Sequence, residues 1–426
     1  MMMPLEKYSL GVGDRFGFEG QAQLRALKIA RDRGVRITPV WNKSNREHAL
    51  LGTSPEDTRR RAAEAVEACG WRDPYYVDAD HIGLATVDRF MAACDFFTID
   101  IADHIGRPAR AESVSEFIKA ATRYLGPLCL PNSEAPLELT NASLMNVARR
   151  YLGAVEEANR VYRRIAEKKG AANFIAEISL DEAAVPQTAE DLFFILAAAS
   201  FRNMAVQTIA PRFSGAFLKG IDYEGDVQKF AREFENALAV VEMAKLTFDL
   251  PANLKLSIHS GSDKFSLYPI MHRAMAKAGA GIHLKTAGTT WLEEVIGLAA
   301  SGGDGLQLAK DVYAGALSRI EELIRPYLAV VGIDMARLPS AEEVNAWDAL
   351  EFVEALRHDP SCPRFNPHFR QLVHIGFRIA AEMGGRFTNL LRRHRDLIES
   401  NVTDNLLRRH IEPLFLGIPA LNFGDR

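Results

Sequence analysis

The segment Leu254–Lys264 reads LKLSIHSGSDK, and the segment Gly281–Gly288 reads GIHLKTAG. Each begins with apolar residues typical of a short buried strand and then changes abruptly to polar residues that can bind a ligand. One histidine stands at this change in each segment, His259 in the first and His283 in the second. Strands that are apolar along their length and carry reactive side chains at the carboxyl end are typical of an α/β barrel active site.

The same pattern of a short β-rich run followed by a helical repeat occurs eight times along the chain. Nearly every run ends in polar residues, and no Gly-x-Gly-x-x-Gly turn follows the first one, which disfavours a doubly wound sheet. The sequence therefore predicts the α/β class and, within it, a (β/α)₈ TIM barrel. The predicted strands are Tyr8–Gly13, Arg36–Trp41, Tyr75–His81, Phe96–His104, Asn173–Ser179, Ala205–Ile209 and the two segments quoted first.

Two parts of the chain depart from this repeat. A mostly helical insertion at about 107–172 follows the fourth strand, within a barrel domain predicted to span residues 1–338. Residues 339–426 are predicted as a C-terminal helical extension that packs on the barrel or on another subunit. In the second case the protein would be a homo-oligomer. Its predicted helices are Ala341–His358, Pro367–Met383 and Arg386–Glu399.

The composition of the chain disfavours nucleic acid and membranes as binding partners. The chain has 426 residues, of which 48% are hydrophobic and 25% charged, and its net charge is −4. This balance gives no bulk attraction to nucleic acid, and no apolar run is long enough to span a membrane. The start of the chain lacks an apolar signal core, and the cysteines show no close pairing, which favours reduced thiols in the cytoplasm. The cysteines are Cys69, Cys94, Cys129 and Cys362.

The predicted strand ends carry more charge than a barrel interior holds without a function, because an unpaired buried charge is costly. Histidines at three strand ends, with carboxylates nearby, suit a divalent metal cation, namely Zn²⁺, Mn²⁺, Ni²⁺ or Fe²⁺. We predict His259 and His283 as two of the ligands. The third is His81 or His104, because the sequence Asp-His-Ile-Gly occurs at both positions, and we prefer His81.

Two carboxylates are the predicted proton-handling groups. Glu177 is the only ionisable residue within the fifth strand, and burial there would raise its pKa toward use as a general acid. The alternative for Glu177 is an ion pair with Lys285. Asp80, beside His81, is the opposing base. Cations near the strand ends would bind an anionic substrate group. The predicted substrate-binding residues are Arg15, Lys43, Asp263, Lys264 and Lys285.

Four motifs taken together resemble the bacterial tagaturonate epimerase family over most of the chain. They are DRFG at Asp14–Gly17, VDADHI at Val77–Ile82, IHSGSDKF at Ile258–Phe265 and HLKTAG at His283–Gly288. The resemblance implies a divalent-metal enzyme that interconverts D-tagaturonate and D-fructuronate in hexuronate catabolism. It also implies a proton acceptor, a proton donor and three histidine ligands, which the motifs place at Asp80, Glu177, His81, His259 and His283.

The chemistry that this resemblance implies restricts the mechanism. The carbon inverted between these ketouronates is β to the ketone, so simple enolisation leaves it untouched. We therefore expect a metal-assisted retro-aldol cleavage followed by re-addition. Two other functions stay open. One is a metal-dependent sugar-phosphate aldolase or isomerase, with the phosphate held by Ser260–Ser262 and Thr286–Thr290, and the other is a non-catalytic uronate-binding barrel.

Overall fold

Eight parallel strands close into a barrel in this computed structural model, which describes residues 3–132, 135–260, 262–286 and 288–419. The order around the barrel is β1-β10-β9-β8-β7-β4-β3-β2, and β5 and β6 form a separate antiparallel pair. The predicted fold class is thereby confirmed. The strands are β1 (Tyr8–Val12), β2 (Thr38–Ser44), β3 (Tyr76–Ile82), β4 (Phe96–Asp100), β5 (Gly126–Leu128), β6 (Leu137–Leu139), β7 (Ile175–Ser179), β8 (Val206–Ala210), β9 (Lys255–His259) and β10 (Ile282–Lys285).

Helices surround the barrel, and several of them begin at a residue whose side chain caps the first turn. The helix at Pro55, for example, has Ser54 and Asp57 in a capping box, with the proline where its missing N–H costs nothing. The insertion after β4 is mostly helical, and its β5–β6 pair has strands too short for a periodic signal. The helices up to the end of the barrel are α1 (Gly20–Asp32), α2 (Asn45–Leu51), α3 (Pro55–Ala68), α4 (Ala111–Ala121), α5 (Asn141–Arg150), α6 (Leu152–Lys169), α7 (Ala189–Phe201), α8 (Val227–Thr247), α9 (Tyr268–Ala278) and α10 (Thr289–Ala300).

The C-terminal helices are shorter than predicted. In the structure, each of the three predicted helices is divided into two shorter helices. The divisions lie near Trp347, at Gly376 and at His394. They share a second apolar core with α10, around Trp291 and Phe369. Among the described residues, no helix is long and apolar enough to cross a bilayer. The helices are α11 (Gly303–Ser318), α12 (Ile320–Ile324), α13 (Ala341–Ala346), α14 (Ala349–Leu356), α15 (Pro367–Ile375), α16 (Phe377–Met383), α17 (Gly385–Arg393), α18 (Arg395–Asp404) and a π-helical segment, Asn405–Leu416.

Side chains inside the barrel lie in layers, because alternate residues of each strand point inward. The layer near the amino ends of the strands is mainly apolar and includes Leu5, Val40, Tyr76, Phe96 and Ile175. Two residues further along β3, β4 and β7, the interior becomes polar. This buried middle layer contains Asp78, Thr98 and Glu177. The barrel therefore has an apolar floor under a charged mouth.

Candidate active site

Lys285 stands at the centre of the charged layers. Its Nζ lies 2.8 Å from Asp78 Oδ2, 2.9 Å from Asp80 Oδ1 and 3.3 Å from Glu177 Oε1. Burial alone would lower the pKa of Lys285, but Asp78 and Asp80 outweigh burial and raise it well above its ordinary value. The side chain is therefore a permanent cation that holds three carboxylates in place.

Gly11 makes room for this lysine. It pairs with Lys285 across β1 and β10, and an added Cβ at position 11 would lie 2.9 Å from Lys285 Cγ. A contact that short forces one of the two groups to move. The glycine in the first strand is thus part of the packing around the site.

His81 reaches the barrel mouth through a local irregularity of β3. Alternation would place Asp80 inside the barrel and His81 outside it. However, the pairing register shifts between Ala79 and Ile82, and His81 has a φ of 51°. A β-bulge of this kind re-aims a side chain, and a non-glycine residue in this conformation stores strain. Both neighbours can therefore take part in one site.

Three side chains form a group that could hold a metal ion. One ligand atom each from His81, Asp181 and His259 lies within 4.8 Å of the others. Two histidines and one carboxylate with open positions are a common donor set for catalytic Zn²⁺ and Fe²⁺. His104, the competing histidine, is on the short turn Ala102–His104 and is not part of this group. The geometry therefore favours His81.

Outer carboxylates orient both histidines, as is usual for metal ligands. His81 Nδ1 donates to Asp100 Oδ2 at 3.0 Å, which leaves Nε2 as the ligand atom. His259 Nε2 donates to Glu177 Oε1 at 2.8 Å, which leaves Nδ1. That buried Nδ1 lies 3.0 Å from Asp181 Oδ2, yet it makes no hydrogen bond with a described residue. The two atoms are close without hydrogen-bond geometry, which fits two ligands of one cation.

The electrostatics favour the same conclusion. Burial lowers the pKa of His259, but Asp181 and Glu177 outweigh burial and raise it to about 9. Burial likewise opposes the charge on His81, whose pKa the neighbouring carboxylates raise well above the ordinary value. Positive charge is therefore strongly stabilised at this point, whether it is carried by protons or by a metal.

His283 is not brought to this group. It lies on the same face of β10 as Lys285 but two residues earlier, about 7 Å deeper in the barrel. Its Nδ1 is 2.9 Å from Ser9 Oγ, and its ring packs on Phe96 with 5.1 Å between centroids. Burial lowers its pKa to about 3, so the ring is neutral. Asp181 replaces His283 as the third candidate ligand.

The two predicted proton-handling carboxylates differ from expectation in their charge. Burial raises the pKa of Glu177, but Lys285 and His259 outweigh burial and lower it well below the ordinary value. The predicted raised pKa of Glu177 is therefore wrong, and its ion pair with Lys285 is present. Asp80 is also ionised, since Lys285 and His81 overcome burial and lower its pKa to about 2. Burial raises the pKa of Asp78 to about 6.

Lys43 and Arg15 are placed differently from the prediction. β2 runs to Ser44, so Lys43 lies within the strand, pairs with Ala79 and belongs to the outer face of the barrel. Its Nζ donates to Arg15 O at 2.7 Å, beside a cavity that Trp41 and Asp57 also line. Arg15 is engaged in an ion pair, with its Nε 3.0 Å from Glu47 Oε1. The structure therefore does not bring Lys43 into the inward-facing layers that hold Lys285.

Asp263 and Lys264 are structural rather than exposed to a ligand. Asp263 Oδ2 lies 2.5 Å from Arg370 Nη2 and 3.0 Å from His358 Nδ1, in the C-terminal helices. Lys264 Nζ donates to Leu218 O at 2.8 Å and to Ile221 O at 2.6 Å. Both charges are thus already satisfied inside the protein, and the structure does not bring either residue into the histidine group.

Replacing Arg370 with methionine is expected to destabilise the protein by about 3–5 kcal/mol, because the buried carboxylate of Asp263 loses its guanidinium partner and keeps the hydrogen bond of His358, whose pKa burial lowers. The side chains of Arg370 and Asp263 are fully buried. The free energy of unfolding in urea measures the effect. The matched control is Arg393→Met, which breaks an exposed pair with Asp304 and is expected to cost less than about 1 kcal/mol. Equal effects of the two substitutions would contradict the structural role of Arg370.

Two site residues were not assigned from the sequence. Asp181 follows β7 in a loop, and Ser179 Oγ donates to its Oδ1 at 2.6 Å. Asn42 pairs with Asp78 across β2 and β3 and points into the barrel. It is 3% exposed, and neither atom of its side-chain amide is bonded to a described residue. Extending the alternating pattern of the second strand past Trp41 would have predicted Asn42 as an inward residue. Nothing in the sequence pattern distinguished Asp181 from the other strand-end acids.

Buried acids, a central lysine and paired histidines at the carboxyl mouth of a parallel barrel define an enzyme of the (β/α)₈ class. The family model described as tagaturonate epimerase matches residues 2–414. The chain therefore belongs to the tagaturonate epimerase family, an isomerase family, and the resemblance in its motifs is confirmed.

Individual relatives agree with this assignment. The tagaturonate/fructuronate epimerase of Thermotoga maritima is 29% identical over 425 residues, which cover 95% of this chain and 80% of the relative. A glycerol-complexed crystal structure of the fructuronate-tagaturonate epimerase of Cohnella laeviribosi matches with a TM-score of 0.78 at 24% identity, covering 97% of this chain and 82% of that one. The native crystal structure of the same enzyme matches with a TM-score of 0.75 at 24% identity, and the match covers 97% of this chain and 82% of that one. The solved structures support the fold.

Proposed function

We propose that this protein interconverts D-tagaturonate and D-fructuronate, and that His81, Asp181 and His259 hold a divalent metal for the reaction. The observation that carries the proposal is the pair of histidines, each oriented by an outer carboxylate, with a third donor at the same point of the barrel mouth. Membership of the epimerase family supports the substrate. When bound, Zn²⁺, Mn²⁺, Ni²⁺ or Fe²⁺ supplies Lewis-acid polarisation of substrate oxygens.

The side chains of this chain then supply the proton transfers. With the ketone numbered C2, the carbon that is inverted is C4. Asp80 is ionised and lies at the barrel mouth, so it can accept the proton of the C4 hydroxyl as the C3–C4 bond breaks. The C4 hydroxyl carbon becomes an aldehyde, and the electron pair of the broken bond is retained on the three-carbon ketone fragment. Rotation of the aldehyde presents its other face. Re-addition restores the C3–C4 bond, and Asp80 returns its proton to the C4 oxygen.

Lys285 and Glu177 support this cycle without exchanging protons in it. Lys285 lies 2.9 Å from Asp80 and keeps it ionised between turnovers. Glu177 accepts hydrogen bonds from His259 and Thr98, which orients the histidine ring. Glu177 is therefore proposed as a positioning residue, in place of the proton donor that the motif implies.

The direct test is to incubate metal-loaded protein with D-tagaturonate and to follow the products by NMR. Formation of D-fructuronate, absent after chelation and restored by one of the four metals, is the expected result. Activity only on phosphorylated sugars would favour the aldolase or isomerase alternative, whose predicted phosphate loops include Gly261 and Ala287, outside the described residues. Tight binding of tagaturonate without turnover would favour the non-catalytic alternative.

Bond cleavage makes a separate prediction. If C3–C4 breaks, slow leakage is expected to release two three-carbon fragments, one with the carboxylate, and ¹³C at C3 or C4 is expected to slow turnover measurably. Chemical trapping of the aldehyde and competitive isotope measurements test both. No fragments, no carbon isotope effect and entry of solvent deuterium at C4 would contradict the retro-aldol route while leaving the epimerase proposal in place.

A catabolic role of this kind also fits the proposed cytoplasmic location. The four cysteines are free within the part of the chain that the structure describes. Reduced thiols are usual in the cytoplasm, where disulfides are rare.

A further inference from the structure

Lys219 lies in the loop between β8 and α8, at the carboxyl end of the barrel. Its side chain is partly buried, yet no acceptor among the described residues hydrogen-bonds its Nζ, and no carboxylate forms an ion pair with it. Its Nζ lies over the ring of Tyr327, 5.7 Å from the ring centroid. A lysine held away from solvent without an anionic partner is unusual, since burial of such a charge is costly. The ammonium group is therefore available to a ligand.

The backbone around Lys219 is fixed on every side. Lys219 N donates to Val330 O at 2.8 Å, and Gly220 N donates to Ser262 Oγ at 3.0 Å. Gly220 O accepts from Arg370 Nε at 2.5 Å. Lys264 binds the carbonyls of the two flanking residues, Leu218 and Ile221. Asp263, through Arg370, and Lys264 thus hold the backbone on either side of Lys219, as a preorganised site requires.

The surroundings of Lys219 are cationic. Arg46 lies over the same ring, with its guanidinium 4.7 Å from the Tyr327 ring centroid. Glu47 is one carboxylate that acts on Lys219, and it is already paired with Arg15. Burial lowers the pKa of Lys219, and Arg15 and Arg46 lower it further. An anion bound here would relieve that repulsion.

The loop that carries Lys219 also packs on the loops that follow β9 and β10. Gly220 N donates to Ser262 Oγ, three residues after His259, and both Gly220 and Gly288, three residues after Lys285, lie against His374. His374 is 1% exposed and has neither ring nitrogen bonded to a described residue. Lys219 therefore shares the carboxyl end of the barrel with the charged layer, and a sugar acid that spans the mouth from Asp80 to this loop would place its carboxylate at Lys219.

We propose that Lys219 binds the carboxylate of the sugar-acid substrate, as the specificity-determining cation of the barrel mouth. This inference rests on the proposed ketouronate substrate. It replaces Lys43 in the role that the sequence predicted. It also gives the C-terminal extension a part in the site, because Arg370 of the extension, together with Tyr327 and Val330 from the segment before it, positions the lysine.

The test compares Lys219→Met, Lys219→Arg and the control Lys229→Met, an exposed lysine on α8. For Lys219→Met, kcat/KM on D-tagaturonate is expected to fall about 30- to 1000-fold, while the slow reaction of the neutral ketohexose D-tagatose changes little. Lys219→Arg is expected to recover part of the loss, and Lys229→Met to behave as the unchanged protein. Thermal unfolding of each variant checks that it is folded.

Calorimetric binding of the two sugars separates this inference from the proposed function. If the unchanged protein binds D-tagaturonate without turning it over, the epimerase proposal fails, and loss of that binding in Lys219→Met still supports the carboxylate site. If D-tagaturonate is turned over and Lys219→Met affects both sugars equally or neither, the carboxylate site is overturned and the epimerase proposal stands.

Discussion

Replacing His259 with alanine is expected to remove the bound metal and to reduce turnover of D-tagaturonate to background. His259 Nδ1 is one of three proposed donor atoms, and its ring is fixed by Glu177. Loss of an outer hydrogen-bond partner alone costs about 10- to 100-fold in metal affinity, so loss of a ligand is expected to cost more. Metal content after dialysis and the rate of product formation measure the two effects. His81→Ala and Asp181→Ala are expected to behave alike.

Two other histidines provide the controls. His104→Ala repeats the substitution in the second Asp-His-Ile-Gly sequence and is expected to leave metal and activity unchanged, because His104 is outside the donor group. His283→Ala is expected to retain metal, although it leaves a cavity between Ser9 and Phe96. Stoichiometric metal in His259→Ala, or loss of metal in His283→Ala alone, would show that the donor group has been assigned incorrectly.

The barrel was predictable because its signal is repeated. Eight apolar runs, each followed by a helical repeat, allow only a few arrangements, and errors at single boundaries do not change the count. Those boundary errors do matter at the site. β2 extends three residues beyond the predicted end at Trp41, so Lys43 lies on the outer face. His283 is two residues below the end of β10, and one layer of the barrel separates it from the mouth.

The remaining errors come from interactions that no local pattern contains. Asp263 and its partners His358 and Arg370 are 95 and 107 positions apart in the chain, so the sequence could not reveal that this strand-end carboxylate is already paired. The φ of 51° at His81 is equally invisible, because alternation alone predicts that Asp80 and His81 face opposite sides. Lys219 lies in a loop without a recognisable motif. Its distinguishing feature is structural, because no described residue forms a hydrogen bond or an ion pair with its ammonium group.

Charge explains why the proposed site would use both a metal and a lysine. Asp78, Asp80 and Glu177 surround Lys285, and Asp100 and Asp181 flank the histidines. One lysine cannot neutralise five carboxylates, and the raised pKa of His259 expresses the deficit. A divalent cation would supply the two positive charges that two protonated histidines otherwise carry, and would allow both histidines to be neutral ligands. The carboxylate of the substrate would then meet Lys219 rather than the acidic side of the mouth.

Asp80→Asn is expected to lower kcat on D-tagaturonate by roughly 10²- to 10⁴-fold, because the amide keeps the shape of the side chain but cannot accept the C4 hydroxyl proton. The fold and the metal are expected to survive. Lys285 keeps Asp78 at 2.8 Å and Glu177 at 3.3 Å as partners, so no unpaired charge is created in the barrel. Steady-state kinetics, metal content and thermal unfolding are measured on the same preparation.

Two matched variants make the result specific to Asp80. Asp103→Asn changes the exposed aspartate of the second Asp-His sequence and is expected to have no effect on kcat. Glu177→Gln retains an oxygen that can accept the hydrogen bond of His259, so a positioning role predicts weaker metal binding with kcat largely restored at saturating metal. If Glu177→Gln instead abolishes turnover in metal-saturated protein while Asp80→Asn remains active, proton transfer belongs to Glu177, and the assignment to Asp80 is wrong.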